Sequence, residues 1–265
     1  MQVSRSDLIL RVDTGYVAHI TLNDPAKLNA LSLAMLDRLL AELALIAADP
    51  SVRVVILAGA GKAFCAGHDL REIQAARAAS DGGAAAFAHL FDRCTQLMLA
   101  ITALPQPVIA QVHGIATAAG CQLVATCDLA LAAPDTRFGV NGVNIGLFCS
   151  TPMVALTRNI PRKAAFEMLT TGEFIDASRA QSLGLINRVA LGDLAEEAMA
   201  LAQTIAAKRT AVVRMGKAGF YAQAEMPLAQ AYGHTGAMMV HNLALPDTAE
   251  GITAFIEKRK PDWQD

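Results

Sequence analysis

The sequence predicts an α/β core followed by an all-helical tail, and three observations predict it. Over the first two-thirds of the 265 residues, short apolar runs of strand length alternate with segments of helical periodicity. At 108–128, VIAQVHGIATAAGCQLVATCD reads as a strand, a turn of very small residues and a buried helix. From about residue 195 only helical patterning remains, punctuated by Pro227 and Pro246. Strands interleaved with helices argue for a sheet covered by helices. The change of pattern divides the chain into a core, 1–194, and a C-terminal helical subdomain, 195–265.

Taken in order, 8–12 and 16–22 alternate apolar and polar residues about Asp13-Thr14-Gly15, the signature of a hairpin. Ser32 is placed to cap a helix in which Leu33, Leu36, Leu40, Leu43 and Ala47 recur at helical spacing until Pro50. VRVVILA at 52–58 is a buried strand, and the glycine-marked loop GAGKAFCAGHDL leads to a helix from Leu70. Ala, Ser and Gly dominate 75–86, which reads as a surface excursion before a helix over 87–103. Pro105 and Pro107 introduce the strand at 108–112, and the small residues at 117–120 put a helix N-terminus near Ala119 and Gly120. Such an end offers unpaired N–H groups and partial positive charge, and small residues let a ligand approach it: one half of an anion or oxyanion site. The same small residues would equally serve tight strand-to-helix packing. A strand at 129–132 follows, then the loop GVNGVNIGLFCSTP at 139–152, a helix over 154–159, and another opened by Pro161 and ended at Gly172. Ser178 is expected to cap a short helix closed by Gly184, and 185–190 forms the last strand. Helical patterns at 194–208, 211–223, 228–243 and 248–258 complete the tail.

Composition removes several classes of function. A net charge of −2 with scattered basic residues gives no electrostatic footprint for nucleic acid. The one dense cluster, Lys258, Arg259 and Lys260, suits a solvated helix end. No apolar run reaches the roughly 18 residues that cross a bilayer, so no membrane partner is expected. Five cysteines without C-x-x-C spacing read as reduced thiols, Cys65, Cys121 and Cys149 among them. Six histidines show no H-E-x-x-H or other metal spacing. The N-terminus has no signal-peptide core, and Asp7 and Asp13 do not suit a transit peptide; a cytoplasmic location is expected. GAGKA is not a phosphate loop, because Ile56 stands where Gly is needed and Ala63 where Ser or Thr is needed. Neither a G-x-S-x-G elbow nor a dinucleotide-binding G-x-G-x-x-G is present.

GKAFCAGHDLREI at 61–73 and VHGIATAAGCQLVATCDLALA at 112–132 resemble the two signature segments of the enoyl-CoA hydratase/isomerase, or crotonase, family. NDPAKLNALS at 23–32 resembles its early segment, RKAAFEMLTTGEFIDASRAQSLGLINRV at 162–189 its late core, and GITAFIEKRKPDW at 251–263 its ending. Within the family, GHDL, AAGCQLVA, GVNIGLFCSTP and GITAF-x-x-KRKP point to a single subgroup. The resemblance implies a crotonase-like spiral of β-β-α units, packed as a homotrimer or a dimer of trimers through the 195–265 region. It implies an acyl-CoA thioester as substrate, with coenzyme A entering as part of that substrate and no metal or redox cofactor. Two backbone N–H groups would polarise the thioester carbonyl, and these fall on His68 and Ala119. By the same matching Ala66, Asp69 and Leu70 lie along the CoA, Lys27 lies near its phosphates, and Phe255 and Lys258 reach the CoA of a neighbouring subunit.

The departures from the family pattern matter as much. Hydratases of the family carry two glutamates that handle water and its proton, and those positions match Gln122 and Gly142 here. An amide has no proton that titrates in the accessible range and glycine has no side chain, whereas a positioned acid or base contributes about 10²–10⁴ in rate. Each oxyanion donor contributes about 10²–10³. Hydration of a 2-enoyl thioester is therefore expected to be weak, with Gln122, Asn144 and Cys149 as candidate polar substitutes. The chain reads as an acyl-CoA enzyme of hydratase descent working on an enolate or thioester. The alternative is an acyl-CoA-binding or regulatory protein whose chemistry has lapsed.

Overall fold

Residues 7–263 are described by the computed structural model, and the chain divides into two units, one ending at Ala206 and the other beginning at Ala207. In the first unit β1 (Ile9–Thr14) and β2 (Val17–Leu22) form the expected antiparallel hairpin, with Gly15 in the left-handed region at φ +58°. The Ser32 hydroxyl accepts the Met35 N–H at 3.2 Å and so caps α1 (Leu33–Ala48), whose Met35, Leu36, Leu39, Leu43 and Ile46 are buried. β3 (Val54–Gly59) is apolar on both faces, as a strand covered on both sides must be. α2 (Leu70–Ala76) follows, and the low-complexity excursion shrinks to 77–83 because its last alanines already open α3 (Ala84–Ala103). Alanine is the best helix former, so an alanine run beside a periodic segment extends it.

Next come β4 (Val108–Val112), β5 (Ile115–Thr117), α4 (Ala119–Thr126), β6 (Leu129–Ala132) and β7 (Arg137–Gly139). A short 3-10 helix, Asn141–Ile145, occupies the glycine-rich loop, and α5 (Ser150–Asn159) begins before the expected residue 154. Pro161 caps α6 (Arg162–Thr171) instead of being its first residue. β8 (Ile175–Asp176), α7 (Ala177–Leu183), β9 (Arg188–Val189) and α8 (Leu194–Ala206) complete the unit. The cap of α7 is Asp176, whose carboxylate accepts the Arg179 N–H at 2.7 Å; Ser178, expected in that role, already lies inside the helix.

One sheet runs β1-β2-β3-β4-β6-β9, parallel after the first hairpin, and a second runs β5-β7-β8. Because successive strand residues point to opposite faces, Ile20, Leu22, Val55, Leu57, Ala110 and Val112 join the main core with α1, α3 and α4. Val17, Val54, Ile56, Ile109 and Leu131 face the other way, against Ala198, Ala202 and Ala206 of α8. That packing moves the division of the chain from the expected residue 194 to Ala206: alanines four apart let α8 lie close on the sheet, and it belongs with the core. All eight residues of α4 are buried.

The second unit consists of α9 (Thr210–Ala224), α10 (Leu228–Leu243) and α11 (Pro246–Ile256). Within it Arg209 pairs with Asp247 and Arg259 with Glu250, each at 2.6 Å. Phe220, Leu228, Met239, Val240, Phe255 and Ile256 are exposed. Among the described residues no helix is long and apolar enough to cross a membrane.

Candidate active site

The loop after β3 is held from beneath by a residue that the sequence does not flag. Asn29 is fully buried, with Leu28 and Asn29 both at φ +54°. Its side-chain amide donates to the Ala60 and Ala63 carbonyls at 2.9 and 2.8 Å and accepts the Asp24 N–H at 3.0 Å. The loop then runs alongside β5: the Cys65 N–H donates to the Ile115 carbonyl at 3.1 Å, and the Thr117 N–H donates to the Cys65 carbonyl at 3.0 Å. At Gly67 the backbone turns through φ +89°, and its N–H is taken by the Cys65 sulfur. An added Cβ there would lie 3.0 Å from the Ala118 Cβ and 3.2 Å from the Ala119 nitrogen. Glycine is thus required both by conformation and by space. At Gly120 a Cβ would overlap the Cys65 carbonyl, so the first turn of α4 is pressed against the same loop.

Ala118 joins β5 to α4 with φ +49°, ψ −119°, a backbone that non-glycine residues seldom adopt. Its N–H is spent on the Gly139 carbonyl at 2.9 Å, which fixes the turn. Strain of this kind persists where the surroundings over-determine it. Its result is that Ala119 is the first residue of the helix, next to Gly67-His68. Among the described residues neither the Ala119 N–H nor the His68 N–H has a partner. These are the two donors that the sequence resemblance singled out, and the fold brings their loops together.

The His68 ring turns into the protein. Its Nδ1–H donates to the Leu31 carbonyl at 3.1 Å, the ring meets Phe91 edge to face at 5.5 Å, and Nε2 is buried without a partner. Burial pushes its pKa below the ordinary value, which keeps the ring neutral. Asp69 caps α2 through the Arg71 N–H at 2.9 Å and pairs with Lys27 at 3.0 Å. Burial opposes the charge on Asp69, but Lys27 and the backbone donors outweigh it and hold the carboxyl below its usual range; Asp69 in turn raises Lys27. Ala66 is half-buried and Leu70 is exposed, both on the same loop-to-helix segment.

Of the two positions that the sequence resemblance matches to hydratase glutamates, Gln122 is 5% exposed and its Oε1 is buried with no partner. Gly142 leaves no space for any side chain: a Cβ would overlap the Leu147 carbonyl and lie 2.9 Å from the Cys149 sulfur. Cys149 is buried, and its thiol is raised by that burial and only partly offset by the Gly142 N–H. Asn144 uses its amide on the Gly172 carbonyl at 3.3 Å, which ties the 3-10 helix to the end of α6. Thr117 donates to Asn141 at 2.7 Å and anchors the other end of that helix; neither residue was singled out from sequence. Phe255 and Lys258 belong to the second unit, Phe255 being 84% exposed and Lys258 lying just past α11 at φ +52°. All five cysteines are free and buried, and among the described residues no cluster of His, Cys, Asp and Glu could hold a metal ion.

Residues 13–265 match the family model described as enoyl-CoA hydratase/isomerase. Human "Enoyl-CoA hydratase domain-containing protein 3, mitochondrial" is 47% identical over 248 residues, covering 93% of this chain and 80% of that protein. The Danio rerio protein of the same name is 44% identical over 264 residues, 99% of this chain and 90% of its own. Among solved structures, an enoyl-CoA hydratase from Mycobacterium smegmatis is 54% identical with a TM-score of 0.93, covering 97% of this chain and 99% of that one. The human domain-containing protein 3 structure gives 45% and 0.92, covering 97% and 100%. This is the subgroup to which the four short motifs point. The expected cytoplasmic location is corrected by the same comparison, since the human, fish, rat, mouse and frog relatives are all named mitochondrial. Addresses are written in segments that need not be part of a fold.

Proposed function

The chain belongs to the enoyl-CoA hydratase/isomerase family and has its α/β spiral fold, and from that premise we propose an acyl-CoA thioester enzyme with carbonyl activation intact and hydratase acid–base chemistry lost. The observation that carries the reading is the strained Ala118, which frees the Ala119 N–H beside the free N–H of His68. A thioester oxygen accepting both bonds gains negative charge as the carbon beside the carbonyl loses a proton, or as a nucleophile adds to the carbonyl carbon or to the far carbon of a conjugated double bond. The N-terminus of α4 adds partial positive charge at the same point. Ala66, Asp69 and Leu70 line the CoA, and the half-exposed Lys27 is free to exchange part of its pairing with Asp69 for a CoA phosphate. Phe255 and Lys258 serve the CoA bound by a neighbouring copy, and the 195–265 region assembles the trimer or dimer of trimers.

The missing acid–base pair defines the test. Crotonyl-CoA hydration is expected below the ordinary turnover of about 10 s⁻¹. Gln122→Glu is expected to raise it by about tenfold or more, within the scale of a positioned acid or base. An unmodified protein that already hydrates at ordinary rates overturns the reading. A second reading, an acyl-CoA-binding protein without turnover, is favoured by the lack of room at Gly142. Mass-spectrometric scanning of a broad acyl-CoA panel separates the two: any new product selects the enzyme, and binding without product across the panel selects the binding protein.

A further inference from the structure

Resting on the thioester reading above, we infer that Glu72 is a positioning residue for the His68 N–H, acting through the stretch of chain that leads into α1. In a trans peptide the N–H and the C=O point in opposite directions, so whatever holds the Gly67 carbonyl aims the His68 N–H. That carbonyl accepts the Leu31 N–H at 2.8 Å. The Leu31 carbonyl in turn accepts the His68 Nδ1–H at 3.1 Å, and the two residues pair as an isolated parallel bridge. The direction of the donor is therefore set from outside its own loop, by where Leu31 stands.

Glu72 fixes where Leu31 stands. Its carboxylate reaches back across 39 residues of sequence and accepts the Leu33 N–H at 3.0 Å, two positions beyond Leu31. Leu33 is the first residue of α1, and its N–H is one of the donors that a helix start leaves over. The Ser32 hydroxyl takes the Met35 N–H instead. Glu72 itself is half-buried in the first turn of α2, where Asp69 is the cap and accepts the Arg71 N–H. The Glu72 carboxylate is spent on the other helix, and a negative charge there suits the N-termini of both. Segments 31–33 and 67–72 are thus laced together by three bonds, and the peptide that carries the proposed oxyanion donor lies at one end of the lacing. Without Glu72 the start of α1 loses its tether to that loop, and Leu31 shifts with it. A donor turned off line bonds weakly, and an oxyanion is stabilised only by donors aimed at it.

The test is carbon-13 NMR of butyryl-CoA labelled at the carbonyl and bound to the full-length protein in its native assembly. The carbonyl resonance is expected downfield of that of the free thioester, the mark of polarisation by the two N–H groups. Glu72→Ala is expected to lose about half of that displacement, one of the two donors being misdirected, while Kd by calorimetry stays within about threefold. Glu72→Gln is expected to keep the displacement, because an amide oxygen still accepts the Leu33 N–H. Ser32→Ala, which takes away the cap that α1 supplies from its own side, is expected to keep it as well. Circular dichroism establishes folding; if Glu72→Ala does not fold, Glu72→Asp, one methylene shorter, takes its place. A full displacement in that variant overturns the inference. So does an equal loss in Ser32→Ala, which shows a general loosening of α1, and so does a loss in Glu72→Gln, which shows that the charge matters and the bond does not. If the unmodified protein does not bind butyryl-CoA, or binds it with no displacement, the thioester reading fails first and takes this inference with it.

Discussion

At φ +49° Ala118 holds a backbone in which a β-branched side chain cannot be accommodated. Ala118→Val is therefore expected to cost about 2 kcal/mol or more, within the range of strained backbone positions. Ala118→Gly, which at an ordinary helical site would cost about 0.5–1 kcal/mol, is expected to cost nothing. Urea unfolding of the two variants checks both. His68 gives the acid side of the stability profile. Its folded pKa lies below the ordinary 6.5, so near that pH the unfolded chain binds the proton and the folded chain does not. The stability from the neutral ring is complete above pH 6.5 and is lost as the pH falls through that value toward the lower folded pKa. The urea midpoint should drop between about pH 7.5 and 5.5, and His68→Phe, which keeps a ring against Phe91, should flatten that drop.

At the scale of elements, the contact of α4 with the Cys65–His68 loop depends on Gly120. Gly120→Ala would push a methyl group into the Cys65 carbonyl and displace the Cys65–Ala116 bridge. A loss of about 2 kcal/mol or more is expected from such overpacking, read as a lowered melting temperature. Which elements could be read from sequence follows from their length and period. The Ser32 cap and the leucine spacing announce α1, and the alternation about Gly15 announces the hairpin. β5, β7 and β8 span two or three residues each, too few for a period to show, so the second sheet goes unseen. Asp176 and Ser178 are both capping residues two positions apart, and only the β8 pairing of Asp176 with Arg137 decides between them. The two proposed donor positions are legible because motifs sit on them. Asn29 is not, because Ala60 and Ala63, to which it donates, are 31 and 34 residues away. At Gly142 the resemblance implies a missing carboxylate, and the fold leaves no room for a side chain, the space being set by Leu147 and Cys149.

For the molecule as a whole, the helical patterning of the tail was plain, but its boundary was not. α8 looks like its neighbours in sequence, and only the sheet face that it covers assigns it to the core. Phe220, Leu228, Met239, Val240, Phe255 and Ile256 of the second unit are exposed, and in the proposed assembly neighbouring copies would cover apolar side chains of this kind. Sedimentation at micromolar concentration is expected to give a trimer or hexamer of the 27.9 kDa chain, and a stable monomer would sink the proposed assembly. The full burial of α4 reaches further, into the order of events during synthesis. An eight-residue helix has little stability of its own. This one is fastened by Gly139 through Ala118 and by Asn159, whose amide donates to the Ala125 carbonyl at 2.8 Å. A nascent chain that has not yet delivered residue 159 from the ribosome has the Ala119 N–H in its sequence but only part of what holds it in place. Activity should therefore be silent through the early phases of folding and arrive with the last of them, so that catalysis itself reports the completed core.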